Sequence, residues 1–250
     1  MNVQAIYVMW LRQMKRFVRT KSRIISNIIQ PFLFLSVLGL GVGNMAGSVH
    51  GINYIDLLTP GIISMSIIFP SVFVGLSVLW DRQFGFLQEV LVAPVSRLSI
   101  VLGRTLGGAT TSLIQGLIVL GVAIALGIKL QISILTLLSF IFMALISFVA
   151  IGMGLIIASR MKSIEGFQFI MSLFIMPLVF LSSPFTTIDS LPGWLKAVAY
   201  VNPITYGVDG LRGTLIGYSY FPVYIDLAVL ILVSLLALGT GAYMFKKSEV

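Results

Sequence analysis

The apolar positions of this chain fall into long runs separated by short polar stretches. A helix needs about 20 apolar residues to cross a bilayer, so the runs at 24–44, 57–80, 98–128, 134–159, 166–184 and 221–245 predict six transmembrane helices. Residues 2–23 keep a different pattern. Tyr7, Trp10, Leu11, Met14 and Val18 share one helical face, and Arg12, Arg16, Arg19 and Arg23 share another, with Lys15 adding charge. Such a helix suits the headgroup layer, with Trp10 at the interface and the cations toward anionic lipid, so it is expected to lie flat. A secretory signal peptide fits poorly, because the segment is too long and no clear A-x-A site follows. An organellar transit peptide, also arginine-rich and acid-poor, remains a rival reading of this segment.

Two segments interrupt the spans. The first, Trp80 to Arg104, reads WDRQFGFLQEVLVAPVSRLSIVLGR. Its charges keep it at a membrane face. Phe84, Leu87 and Leu91 recur at helical spacing until Pro94, which predicts a short amphipathic helix within 81–97. The second, 185–222, has apolar stretches of about ten residues at 191–200 and 204–215, too short to cross. Short helices that dip in and return are expected, ringed by Trp194, Tyr200, Tyr206, Tyr218, Tyr220 and Tyr224. The fold class is therefore all-α integral membrane: one domain over 1–250, six spans, an amino-terminal interfacial helix, a central amphipathic helix and an outer re-entrant segment.

Composition and charge sharpen this. The chain is 58% hydrophobic with a mean hydropathy of +1.07, and it has no cysteine and one histidine, His50, which excludes disulfide, thiolate-metal and histidine-cluster chemistry. Six spans place both termini on one side, which carries 13 of the 16 lysines and arginines. That side is expected to be cytoplasmic, so the net charge of +8 reflects topology and not nucleic-acid binding. Asp56 and Asp226 precede spans on the outer side and read as solvated helix starts. Gly103 and Gly107 form a G-x-x-x-G that allows close helix contact. No catalytic constellation, metal-ligand set or phosphate loop is present, and no charge lies near the centre of a span.

The central segment resembles the signature of ABC-2-type transporter permeases: D-R, then G-x-x before an acid, A-P-x-S-R, and G-R entering the third span. LTPGIISMSIIFPSVF at 58–73 resembles that family's second span. LPGWLKAVAYVNPITYGVDGLRG at 191–213 resembles its outer segment with the N-P-x-T-Y element. The match covers nearly the whole chain, and within the family it most resembles the daunorubicin-resistance type of drug export permease.

The resemblance implies a permease subunit of an ATP-driven exporter in the plasma membrane, with both termini cytoplasmic. It would pair with a second copy as a homodimer and with two copies of a soluble ABC ATPase, among membrane lipid. The chain itself would bind no cofactor and catalyse no reaction; ATP and Mg would sit on the ATPase. Carried over, Asp81, Arg82, Phe84, Gly85, Leu87 and Glu89 form or flank the ATPase-coupling contact, and Ala93, Pro94, Ser96 and Arg97 shape its exit turn. Phe84 and Leu87 would supply buried area while Arg82 and Glu89 set orientation. The interfacial helix would contribute Trp10, Arg12, Lys15, Arg16, Arg19 and Arg23, and the outer segment Pro192, Trp194, Asn202, Pro203, Tyr206 and Arg212. A path for an amphiphilic, drug-like, lipid-like or glycan cargo would run along Phe69, Phe73, Met171, Phe174 and Met176, residues that otherwise face lipid or neighbouring helices. A self-contained secondary transporter or channel is the alternative, and a membrane enzyme a third class without supporting residues.

Overall fold

The computed structural model describes residues 2–42, 48–49, 51–84, 96–129, 131 and 134–247. In chain order the helices are α1 (Val3–Arg19), α2 (Lys21–Phe34), α3 (Tyr54–Gln83), α4 (Arg97–Ala125), α5 (Ile134–Arg160), α6 (Ile164–Ile170), α7 (Met176–Phe180), α8 (Gly193–Val201), α9 (Pro203–Ile216) and α10 (Val223–Lys247). A π-helical stretch, Leu35–Val42, continues α2, and a π-helical turn, Met171–Ile175, joins α6 to α7. Both lie near prolines, Pro31 and Pro177, whose missing N–H breaks the regular ladder. A two-residue hairpin, β1 (Ser48–Val49) and β2 (Ile52–Asn53), stands in the link expected to be only polar loop.

Among the described residues, α3, α4, α5 and α10 are long and apolar enough to cross a membrane. The other two expected spans correspond to shorter apolar helices, Ile28–Gly39 and Ile164–Phe180. The six-span expectation is thus supported by length at four places. Helix α3 also runs on through Gln83, so Asp81 and Arg82 belong to its last turn and not to a separate element.

Helix α3 is the axis of the fold. Prolines 60 and 70 are accommodated inside it, where hydroxyls take up neighbouring carbonyls: Ser64 Oγ donates to the Pro60 carbonyl at 2.8 Å and Ser66 Oγ to that of Ile63 at 2.7 Å. In a lipid environment helices associate by close packing and shared polar groups, because burial of apolar surface gives little preference for protein over lipid. Gly75 of α3 meets Gly154 of α5 so closely that a Cβ at residue 75 would stand 2.2 Å from the Gly154 carbonyl. Beside that crossing, Ser71 Oγ lies 2.8 Å from Ser112 Oγ and 2.9 Å from Ser147 Oγ, tying α3, α4 and α5 together. Gly207 and Gly210 seat α9 against Ile146 and Phe142 of α5 in the same way.

Candidate functional site

Helix α1 starts at Asn2, whose side chain accepts the N–H groups of Gln4 and Ala5, while the Asn2 N–H donates to Ser99 Oγ at 3.1 Å. From there α1 follows α4 in the same direction. Ile6 and Met9 close on Gly103, Trp10 and Gln13 on Gly107, and Trp10 Nε1 donates to Thr110 Oγ1 at 3.1 Å. The two glycines are the G-x-x-x-G of the sequence, and their missing side chains form the trough in which α1 sits. Helix α1 therefore packs on α4 through a face that includes Trp10 and the buried Met9, while Tyr7 and Val18 of the face expected to meet lipid stay exposed.

The contact places α1 against the end of α3. Arg12 grips Asp81 with both terminal nitrogens, Nη1 to Oδ2 at 2.9 Å and Nη2 to Oδ1 at 2.7 Å. Arg104 Nη2 reaches the same Oδ2 at 2.6 Å from α4, and Arg104 is only 1% exposed. Arg16 lies over the Trp80 ring, 5.0 Å from its centroid. Three helices thus converge on one carboxylate. Two guanidinium groups compensate a single acid, and fork geometry makes the Arg12 pair directional. Among the described residues, Arg104 Nε and Nη1 have no hydrogen-bond partner. Arg104 lies inside α4, so this ionic contact is built into the helix packing.

The expected coupling residues divide three ways. Asp81, Arg82 and Phe84 end α3, with Asp81 buried in the ionic cluster and Phe84 81% exposed just past the last turn. Ser96 is the N-cap of α4: its Oγ accepts the Ser99 N–H at 3.2 Å and meets Ser99 Oγ at 2.8 Å, giving the turn a defined exit. Gly85, Leu87, Glu89, Ala93 and Pro94 lie outside the described residues, as do His50 and the side chains of Arg23 and Arg97. Lys15 and Arg19 are exposed on α1. Arg104 and its link to Asp81 are the functional-looking feature that sequence reasoning missed. An arginine inside an apolar helix demands a counter-charge, and that was the available signal.

The segment from 181 to 222 is built from capped turns. Asn202 is buried, accepts the Ile204 N–H at 3.0 Å and donates Nδ2 to the Leu178 carbonyl at 2.6 Å, while Pro203 opens α9. The N-P-x-T-Y element is thus a helix start pinned to α7. Tyr206 donates to the Tyr200 carbonyl at 2.7 Å. Buried Arg212 donates Nη2 to the Ser183 carbonyl at 3.0 Å, next to Pro184, which Gly61 admits against α3. Ser183 has φ of 58°, a left-handed position that this packing holds. Pro192 caps α8, and Trp194 and Tyr224 are exposed. Tyr200, Tyr206, Tyr220 and Phe221 stack on one another and form a packed cluster more than a belt. Tyr218 donates to Asp189 Oδ2 at 2.8 Å, and burial together with that carboxylate pushes its phenol up to about 12. Asp56 and Asp226 are buried, not solvated: Asp56 accepts from Lys129 N–H and Asn53, and Asp226 has no hydrogen-bond partner among the described residues.

A groove of about 370 Å³ lies between α2, α3 and α7, open on one side. Phe34, Met65, Phe69, Phe73, Met176 and Phe180 give it an apolar wall, broken by Gln30 and Ser66. Of the path residues expected from sequence, Phe69, Phe73 and Met176 line it. Met171 is buried in the helix packing and Phe174 is exposed elsewhere.

Residues 4–216 match the family model described as ABC-2 type transporter. Nodulation protein J of Rhizobium meliloti (strain 1021) is 30% identical, across 78% of this chain and 74% of that protein. The "Probable doxorubicin resistance ABC transporter permease protein DrrC" of Mycobacterium tuberculosis is 27% identical, across 82% and 75%. Inner membrane transport permease YadH of Escherichia coli (strain K12) is 25% identical, across 91% and 89%. With the family model spanning most of the chain, the protein belongs to the ABC-2 type transporter family, as a membrane component that works with a separate ABC ATPase.

Proposed function

We propose that this chain is the permease of an ATP-driven exporter in the plasma membrane, with the α1 end of the bundle cytoplasmic. Two copies of the chain associate and engage two ATPase subunits, which carry ATP and Mg. The segment that follows Phe84 docks on the ATPase, and the Arg12–Asp81–Arg104 cluster holds α1, α3 and α4 as one unit behind it. That cluster is the observation that carries the reading. Closure of the ATP-bound subunits pushes a rigid three-helix corner, which biases the bundle between two arrangements. In this reading α8 and α9 form the outer re-entrant element. The cargo is amphiphilic and runs along the apolar groove between α2, α3 and α7, since a wall with no charged residue suits an apolar body better than an ion.

The test is transport in proteoliposomes containing the permease and its ATPase. A fluorescent amphiphile is expected to move from the ATPase side only with ATP and Mg, and an imposed proton or sodium gradient without ATP is expected to move none. Flux driven by the ion gradient alone would select the self-contained transporter, and movement toward the ATPase would reverse the proposed direction.

A further inference from the structure

One face of α3 carries two cavities in succession. Ile62, Met65, Phe69 and Phe73 line the large groove, and Phe73, Ser77 and Trp80 line a smaller cleft of about 40 Å³ between α1, α3 and α4. The spacing is helical throughout, so the two follow one another along about 27 Å of α3 at 1.5 Å per residue, with Pro70 and Phe73 lining both. The two halves differ in chemistry. The cleft is lined by Gln13, Arg16, Ser77, Thr111 and Gln115. Gln115 is 4% exposed, and its Oε1 has no partner among the described residues, although it lies at the wall of an open space.

We propose that this cleft is a head-group site for the cargo, and that it takes a neutral hydroxyl head whose apolar body lies in the groove beyond Phe73. The proposal rests on the transport reading and names the cargo class for it. A buried amide oxygen without a partner is costly, and a ligand that donates a hydrogen bond removes the cost. Anionic heads lack a donor for Gln115. A primary ammonium has one but would meet the Arg16 guanidinium at the rim. A hydroxyl both donates to Gln115 and accepts from Arg16, whereas Ser77 and Thr111 already donate to the Val74 and Gly108 carbonyls. The volume is right as well: a water needs about 10–15 Å³ of such space, so the cleft holds one terminal hydroxyl and its carbon but not a sugar ring.

The test is photolabelling of the permease with its ATPase in nanodiscs. The probe is a long-chain alcohol with a diazirine next to the hydroxyl, compared with its methyl ether and with the matching alkylammonium. The alcohol is expected to label the segment around Thr111 and Gln115 about tenfold more than the ether does, as loss of one donated bond implies. Gln115→Met, close in shape, should lower the alcohol to the level of the ether at unchanged melting temperature. Phe73→Trp, which narrows the junction and leaves Gln115 in place, should lower head labelling while groove labelling at Met176 persists. Equal labelling by alcohol and ether, preference for the ammonium, or indifference to Gln115→Met would overturn the site and leave water as its occupant. If the groove labels and ATP-driven transport persists while the cleft stays unlabelled, only this inference fails. No labelling in either cavity, together with no ATP-driven transport, would sink the transport reading too.

Discussion

Asp81→Ala is expected to abolish transport and to destabilise the bundle more than any other single charge removal. It strands Arg104 in the interior without the Asp81 counter-charge and breaks the two-pronged Arg12 pair. Removing one partner of a buried ion pair costs about 3–5 kcal/mol. The measurement is the thermal midpoint in detergent, together with transport in proteoliposomes. A second variant separates stability from coupling. Asp81→Leu with Arg104→Met replaces the buried pair by apolar side chains of similar size, a change that is often neutral for stability. The double variant is expected to regain most of the lost midpoint yet transport poorly, because α1 has lost its anchor on α3. Full transport by the double variant would reduce the cluster to a packing device.

The second large effect concerns the α3–α5 crossing. Gly75→Ala places a methyl group 2.2 Å from the Gly154 backbone, where nothing can rotate away, so the helices must part. Overpacking of this kind costs about 1–3 kcal/mol and sometimes more. Gly121→Ala is the control, since a Cβ there meets nothing within 4 Å and alanine favours a helix interior by roughly 1 kcal/mol. The first substitution is expected to lower the thermal midpoint and the yield of folded protein, and the second to leave both equal or higher. Similar midpoints for the two variants would show that the crossing is looser than described.

Periodicity exposed much of this architecture. Helices α3, α4, α5 and α10 could be located because long apolar runs leave a chain no other way to satisfy its backbone in lipid. The N-P step at Asn202 and Pro203 and the exit turn at Ser96 entered through the family resemblance, and the structure makes each of them a helix start. Contacts between distant residues were not. Arg104 and Asp81 are 23 positions apart on different helices, and no spacing rule brings them together. The amphipathic pattern of α1 revealed which face is apolar but not what covers it. Gly103 and Gly107 receive a neighbouring face, with Ile6, Met9 and Gln13, and leave Tyr7 and Val18 exposed. Asp226 shows the same limit: its place in the first turn of α10 was readable, its complete burial was not.

The central claim is that the segment after α3 couples this permease to an ATPase, with Phe84 as an exposed apolar contact. The most direct test is affinity purification of the tagged chain from native membranes, beside a Phe84→Ala, Leu87→Ala variant. Aromatic anchors at an interface centre carry much of its binding energy, and loss of Phe84 together with Leu87 is expected to weaken association by about 2–4 kcal/mol. The account predicts that a soluble ABC ATPase accompanies the wild-type chain and is lost from the variant, while the variant's thermal midpoint is unchanged. Equal recovery of the ATPase with both proteins would contradict it.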